Sequence, residues 1–321
     1  MRKSRQWQGR GLVILGARVW GIGGTVSHRL FQEQGILVDW LVTVRLLGAG
    51  ALLLLLSWLF GDRTQIFKIW RDKKSLIQLL IFAIFGMLAV QYTYMASIEA
   101  GNAAVATLLQ YLGPVFILFY SLFTRKSKLN FHTVFAVCLA LTGTFLMLTN
   151  GSWENLAVPG KAIFWGIASG VAMAFYTVYP VSLLDRFGSL VVIGWSMIIG
   201  GLVMSLKHPP WMFDAGNWSI ETYSYLLFVI VFGTLLGFWF YLDSLHYLTP
   251  QATSLLANME PLTSILSSIF WLGMSFGTWQ ILGMALIIFL VIYLTLMKNQ
   301  YSRPEKQVSG KESIVTNNNI M

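Results

Sequence analysis

Ten apolar runs, each close to the roughly 20 residues a helix needs to cross a bilayer, leave this chain few ways to fold. They fall at about 11–32, 37–60, 75–97, 101–123, 131–149, 161–184, 189–206, 222–245, 250–272 and 278–297. In lipid every backbone N–H and C=O must be satisfied within the protein, so runs of this kind become helices. Only 11% of the residues are charged, against about 25% in soluble domains. The expected fold is all-α and integral to a membrane, with ten transmembrane helices. The first run is the most polar, carrying Arg18, His28 and Arg29. The sizeable polar pieces are 61–74, 207–221 and the tail after 298. None is large enough for a catalytic domain outside the bilayer.

Several classes of function are disfavoured. Cys138 is the single cysteine, so neither an internal disulfide nor a cysteine metal cluster can form. The histidines, His28, His132, His208 and His246, show no HxxxH or HExxH spacing, and no Walker A loop is present. No metal and no cofactor are expected. A net charge of +9 would suggest nucleic acid in a soluble protein. Here the basic residues flank apolar spans, so no nucleic-acid partner is expected. The run after Arg10 is interrupted by Arg18 and lacks a small-residue cleavage pattern, so no cleavable signal peptide is expected. An integral membrane enzyme would need paired carboxylates or histidines at one interface, which the chain does not offer. A channel is the other alternative to a transporter.

Lysine and arginine placement orients the spans. With the N-terminus cytoplasmic, seventeen basic residues lie in cytoplasmic segments and two, Lys161 and Lys207, in outer ones. Arg18, Arg29 and Arg45 fall within spans. Both termini are therefore expected in the cytoplasm of a multi-pass protein of the inner or plasma membrane.

The chain also repeats itself. An offset of 147 carries Tyr94 onto Tyr241, Leu108–Leu109 onto Leu255–Leu256, Pro114 onto Pro261 and Phe123 onto Phe270. At 145, Trp20-Gly21-Ile22 meets Trp165-Gly166-Ile167. The offset covers five spans, an odd number, so the second copy enters the bilayer from the opposite side. This predicts two inverted five-helix repeats at 11–149 and 161–297. A cytoplasmic segment 1–10, an outer linker 150–160 and a disordered cytoplasmic tail 298–321 complete the chain. Secondary transporters of this plan bind substrate near the midplane, where helices are interrupted at matching positions.

The stretch LLANMEPLTSIL, 255–266, places Glu260 beside Pro261 inside the ninth span. Ten residues from the start of that span put Glu260 about 15 Å deep, near the bilayer centre. A charge there costs about 2.5–3.5 kcal/mol on insertion scales, so it marks a functional position. Pro261 removes a donor and frees the carbonyl of Ala257, so the surroundings must be protein or a wet cavity. Thr253, Ala257, Ser264 and Ser267 share the face of Glu260. Burial of the glutamate in plain helix packing is the alternative. In the first half Gln110, Tyr111 and Pro114 stand where Ala257, Asn258 and Pro261 stand. The two prolines are expected to kink helices that face each other, with Gln110, Tyr111 and Asn258 available to a solute. Trp20 and Trp165 lie well inside their spans, as a cavity wall would need, although an aromatic packed beside glycine would look the same. Tyr94 and Tyr241 belong to a looser aromatic set that suits an organic solute. Arg18 and Arg45 each sit about a third of the way into a span, where they either bind an anionic group or pair with Glu260, or else snorkel to headgroups.

These residues resemble the EamA-type members of the drug/metabolite transporter superfamily over about 11–297. The resemblance rests on WGI near the start of each half, on Arg45, on ASIEAGNAAVATLLQYLGPVF (96–116), on LHYLTPQATSLLANMEPLTSIL (245–266) and on WQILGMALII (279–288). The 96–116 stretch looks most like the carboxylate, amino acid and amine transporter branch. The resemblance implies two five-helix units around a central cavity and small metabolites as substrates, often exported. One departure is Met274 in WLGMSF, where the family often has a glutamate. The expected function is secondary transport of an amino acid, amine or carboxylate, outward, by alternating access. Protons are the candidate coupling ion, the bilayer is the obligatory partner, and a homodimer is left open.

Overall fold

The computed structural model describes residues 2–61, 63–124, 131–152, 154–212, 218–244, 247–248 and 250–301. Among them every regular element is a helix. In chain order these are α1 (Arg2–Gln32), α2 (Val38–Phe60), α3 (Arg63–Arg71), α4 (Lys73–Ala100), α5 (Ala103–Gln110), α6 (Gly113–Phe123) and α7 (Phe131–Thr149). There follow α8 (Gly160–Val178), α9 (Val181–Phe187), α10 (Ser189–Ser205), α11 (220–244), α12 (Pro250–Ala257), α13 (Met259–Phe270) and α14 (Thr278–Tyr301).

Six stretches are long and apolar enough to cross a membrane: α2, α4, Ala103–Tyr120 through α5 and α6, α8, Ile220–Tyr241 of α11, and Thr278–Leu296 of α14. The pair α9–α10, bent by 118°, is a seventh if taken as one span. The remaining runs fall short of that standard for physical reasons. Helix α1 is long, but Arg10, Arg18 and Arg29 dilute its apolar character. The apolar described part of α7 is only Val134–Thr149. The ninth run is divided at Asn258 between α12 and α13.

Matching positions of the two halves repeat local structure as well as sequence. Asp72 caps α4, its carboxylate accepting from the backbone N–H of Ser75 (3.2 Å) and of Lys74 (3.4 Å). Ser219, 147 residues on, caps α11 by accepting from the Thr222 N–H at 3.2 Å. Capping side chains of this type satisfy donors that the first turn leaves free. Each helix then passes through a π-helical segment, Phe82–Leu88 in α4 and Phe228–Leu236 in α11. Such segments are rare and cluster at functional sites.

Buried apolar side chains form three contiguous groups. The largest joins α1, α2, α4, α10 and α11 through Leu30, Leu46, Met87, Met197 and Val229. A second joins α5 to α8 and α14 through Leu108, Leu109, Met147 and Ile287. The third ties α3, α4, α9 and α10 through Ile69, Leu79, Phe82 and Val192. The outside is equally apolar: Phe123, Phe131, Phe270 and Leu206 are all more than three-quarters exposed. Lipid solvates such a surface, whereas water would not.

Candidate functional site between two interrupted helices

Both interruptions carry the same backbone signature. Tyr111 has φ −68°, ψ −3°, and Asn258, at the matching place, has φ −63°, ψ −4°. A ψ near zero loosens the helical ladder at those residues, and a new helix starts just beyond. Pro114 lies in the first turn of α6 and Pro261 in the first turn of α13. Proline is tolerated there because its missing N–H would have no helical partner anyway. The expected kinks are therefore short breaks, placed one turn before each proline.

The carbonyl freed by Pro261 is not left empty. The Tyr111 hydroxyl lies 3.2 Å from the Ala257 oxygen and 2.9 Å from Glu260 Oε2. Its single proton serves one acceptor at a time. A residue at the break in the first half thus satisfies the break in the second. Tyr111 and Glu260 are both half-buried, so the pair keeps some accessible surface.

Hydroxyl groups extend this pair into a polar core. The Tyr94 hydroxyl bonds Thr107 Oγ1 at 2.9 Å, and Thr107 Oγ1 lies 3.3 Å from Ser264 Oγ, one turn beyond Glu260. Thr25 Oγ1 of α1 meets Ser267 Oγ of α13 at 2.6 Å. Helix α1 can approach that closely because Gly21 faces α13; a Cβ there would sit 2.6 Å from the Glu260 carbonyl oxygen. Tyr94 and Tyr241 both lie within electrostatic range of the Tyr111 hydroxyl.

The structure gathers some of the residues singled out in the sequence and separates others. Trp20 packs against Phe238 and Tyr241, with ring centroids 5.1 and 5.6 Å away. Trp165 instead meets Tyr92 at 5.6 Å and Phe164 at 5.1 Å, and no ring contact or hydrogen bond links it to Glu260 among the described residues. Gln110 uses its amide to tie α5 to α8, donating to Ser169 Oγ at 2.9 Å. Asn258 is 5% exposed, and its Nδ2 has no hydrogen-bond partner among the described residues. Arg18 is exposed on the outer face of α1, as a snorkelling arginine would be, and stands apart from the polar core. Arg45 is 6% exposed and donates from Nε to Thr234 Oγ1 at 3.0 Å, so it points inward.

Thr107, Thr25 and Thr234 escaped the sequence reading. Thr107 stands one turn before Tyr111, where a hydroxyl beside a break would be sought. Thr234 adjoins Gly233 of GTLLG, a pattern that otherwise signals only close helix packing.

A second polar cluster closes the far ends of the same helices. Arg29 of α1 donates from Nε to both Glu33 oxygens at 2.8 Å and from Nη1 to the Tyr225 hydroxyl at 3.2 Å. Its guanidinium also stands 5.7 Å from the Trp271 ring centroid. At the start of α2, Asp39 Oδ2 lies 2.7 Å from Lys207 Nζ, and that hydrogen bond holds the ammonium above the usual lysine range.

No group of three or more potential metal ligands occurs among the described residues. A helical membrane protein whose polar core lies where interrupted helices meet has the architecture of a transporter. The chain belongs to the EamA-like transporter family, whose model matches residues 7–149 and again 160–296. It is 36% identical over 294 residues to the uncharacterized inner membrane transporter YicL of Salmonella typhimurium, covering 91% of this chain and 96% of the relative. It is 27% identical to the uncharacterized transporter YxxF of Bacillus subtilis, covering 81% of each. One crystal structure, 17% identical, superposes with a TM-score of 0.58 over 94% of this chain and the whole of the other, a likeness of fold alone.

Proposed function

We propose that the chain is a ten-crossing secondary transporter that exports a small organic metabolite, an amino acid, amine or carboxylate, by alternating access. Both termini lie in the cytoplasm of a cell bounded by this inner or plasma membrane, and the two halves, 11–149 and 161–297, are inverted relative to each other. Ten crossings follow if α1, α7, the bent α9–α10 and the broken α12–α13 each traverse the bilayer beside the longer helices. The inversion is supported by an offset of five spans, and the orientation by seventeen basic residues against two.

The observation that carries this reading is the Tyr111–Glu260 contact, made by matching breaks from the two halves. Interrupted helices at corresponding positions are where such transporters bind substrate and coupling ion. Glu260 is the group that takes up a proton or senses substrate charge. Gln110, Tyr111, Asn258, Trp20, Tyr94 and Tyr241 shape the site around it. Trp165 is placed with them only by the repeat, and Arg18 drops out. With this orientation the Arg29 cluster ties the outer ends of α1 and α11, which supports a conformation closed on the outer side.

The test uses inside-out membrane vesicles and a proton gradient, with the twenty labelled proteinogenic amino acids, their decarboxylated amines and short carboxylates as probes. At least one probe should accumulate, and Glu260→Gln should abolish gradient-driven accumulation while leaving exchange. Unchanged accumulation in that variant removes Glu260 from the mechanism. Current steps of many ions per opening in planar bilayers would favour a channel instead.

A further inference from the structure

Arg45 is unlike the other basic residues of this protein. It lies in α2 with 6% of its surface exposed, so its charge reaches neither headgroups nor bulk water. Thr234 Oγ1 takes its Nε proton at 3.0 Å, while the threonine's own proton goes to the Val229 carbonyl at 2.8 Å. No carboxylate lies within 4 Å of the guanidinium among the described residues. Its terminal nitrogens make no hydrogen bond to the described residues, yet they are not among the fully enclosed unpaired atoms. They therefore keep some accessible surface on a side chain that is otherwise buried.

Glu260 is the mirror image of this situation. Its carboxylate is met by a neutral donor, the Tyr111 hydroxyl, and by no lysine, arginine or histidine within 4 Å among the described residues. The Tyr94 hydroxyl, bonded to Thr107 Oγ1 at 2.9 Å, feels the charge of both Glu260 and Arg45. Buried charges are stable when paired, and these two are not paired with each other. An anionic solute would satisfy Arg45 and leave Glu260 unmatched. A cationic one would do the reverse, and a neutral one would satisfy neither.

We propose that Arg45 is the anion-binding pole of the substrate site and Glu260 its cation-binding pole, so that the substrate is a zwitterion bearing a carboxylate and an ammonium group. This rests on the transport reading of the Glu260 site. A planar guanidinium is well suited to the task, because it presents two parallel donors to a carboxylate.

The experiment measures binding to the purified full-length chain by thermal stabilisation. The probes are the twenty amino acids, each with its decarboxylated amine and its N-acetyl derivative. At least one amino acid should stabilise the protein saturably, and removing either charged group from it should weaken binding about tenfold or more. Arg45→Gln should erase the difference between that amino acid and its amine. Glu260→Gln should erase the difference between it and its N-acetyl form. If Arg45→Gln does not fold, the wild-type ligand series decides alone. Binding of no amino acid, or equal binding of the blocked derivatives, overturns the proposal. Should the equally bound derivatives still accumulate in vesicles, the transport reading survives without the two-pole site. If nothing accumulates, the transport reading fails as well.

Discussion

Replacing Tyr111 by phenylalanine removes one oxygen and leaves the ring, so its effect isolates the contact between the two breaks. The two acceptors that share its single proton lose it: Glu260 Oε2, 2.9 Å away, and the Ala257 carbonyl, 3.2 Å away. A hydrogen bond to a charged group contributes about 1.5–3 kcal/mol net, and an orphaned buried acceptor costs about 1–3 kcal/mol. Inside membranes the measured interhelical average is smaller, about 0.6 kcal/mol with a maximum near 1.7. Glu260 and Tyr111 are half-buried, so water in the adjoining space can replace part of what is lost. The smaller scale therefore governs, and Tyr111→Phe should destabilise the protein by about 1–2 kcal/mol.

The assay is reversible unfolding in mixed micelles by a denaturing detergent, run as a double-mutant cycle with Glu260→Gln. Ala257 gives up its donor in either background containing Tyr111→Phe, so that contribution cancels. What remains is the coupling between hydroxyl and carboxylate, expected at about 0.6–1.7 kcal/mol. Additivity within about 0.3–0.5 kcal/mol, the behaviour of independent sites, would refute the contact as a tie between the halves.

Other perturbations probe the surrounding frame. Gly21→Ala places a methyl group 2.6 Å from the Glu260 carbonyl and should cost about 1–3 kcal/mol by overpacking, with loss of vesicle transport. Gly11→Ala, where nothing lies within 4 Å, should leave unfolding and transport unchanged or slightly improved. Arg29→Gln removes the guanidinium that Glu33, Tyr225 and Trp271 share, and should raise the reactivity of a cysteine placed in the outer half of α1 towards external thiol reagents. In a Cys138→Ser background, Glu154→Cys should react with an impermeant maleimide on intact cells and Lys73→Cys only after permeabilisation; the reverse pattern would overturn the orientation. The hydrogen bond from the Ser75 hydroxyl, with help from two backbone N–H groups, holds the Asp72 carboxyl below its usual range. Its contribution to stability is therefore present above the unfolded value of about 3.9 and is lost as pH falls through the folded value. An Asp72→Asn variant should lack that acid-side dependence in unfolding titrations.

Much of the frame was legible because the physics behind it is local. Apolar runs report helices, since lipid offers the backbone no other partner. Pro114 and Pro261 report interruptions, since neither can donate to the preceding turn. The same offset that pairs those prolines also pairs the caps Asp72 and Ser219 and the two π-helical segments, although the sequence alone marks no π-helix. Facing is what periodicity could not supply. Arg18 and Arg45 lie at similar depths in neighbouring spans, yet one points outward and the other is 6% exposed. Trp20 and Trp165 head the same triplet, but one stacks near Tyr241 and the other near Tyr92. The donor to the Ala257 carbonyl was beyond reach too. It comes from 146 positions away, and the nearby hydroxyls of Thr253 and Ser264 were equally good candidates on chemistry alone.

The two repeated glycines sit where the two halves meet. Gly21 of α1, in the first half, lies against the Glu260 carbonyl and Thr263 in α13 of the second. Gly166 of α8, in the second half, lies against Leu109 of α5 in the first. Each half therefore seats its opening helix on the interrupted helix of the other, and the hydroxyl of Tyr111 crosses between the interruptions. If one half rocks against the other, as proposed, both glycine contacts slide together. On the proposed alternating-access reading, a carboxyl whose only described donor belongs to the opposite half is placed so that its protonation or occupancy would bias which arrangement is held.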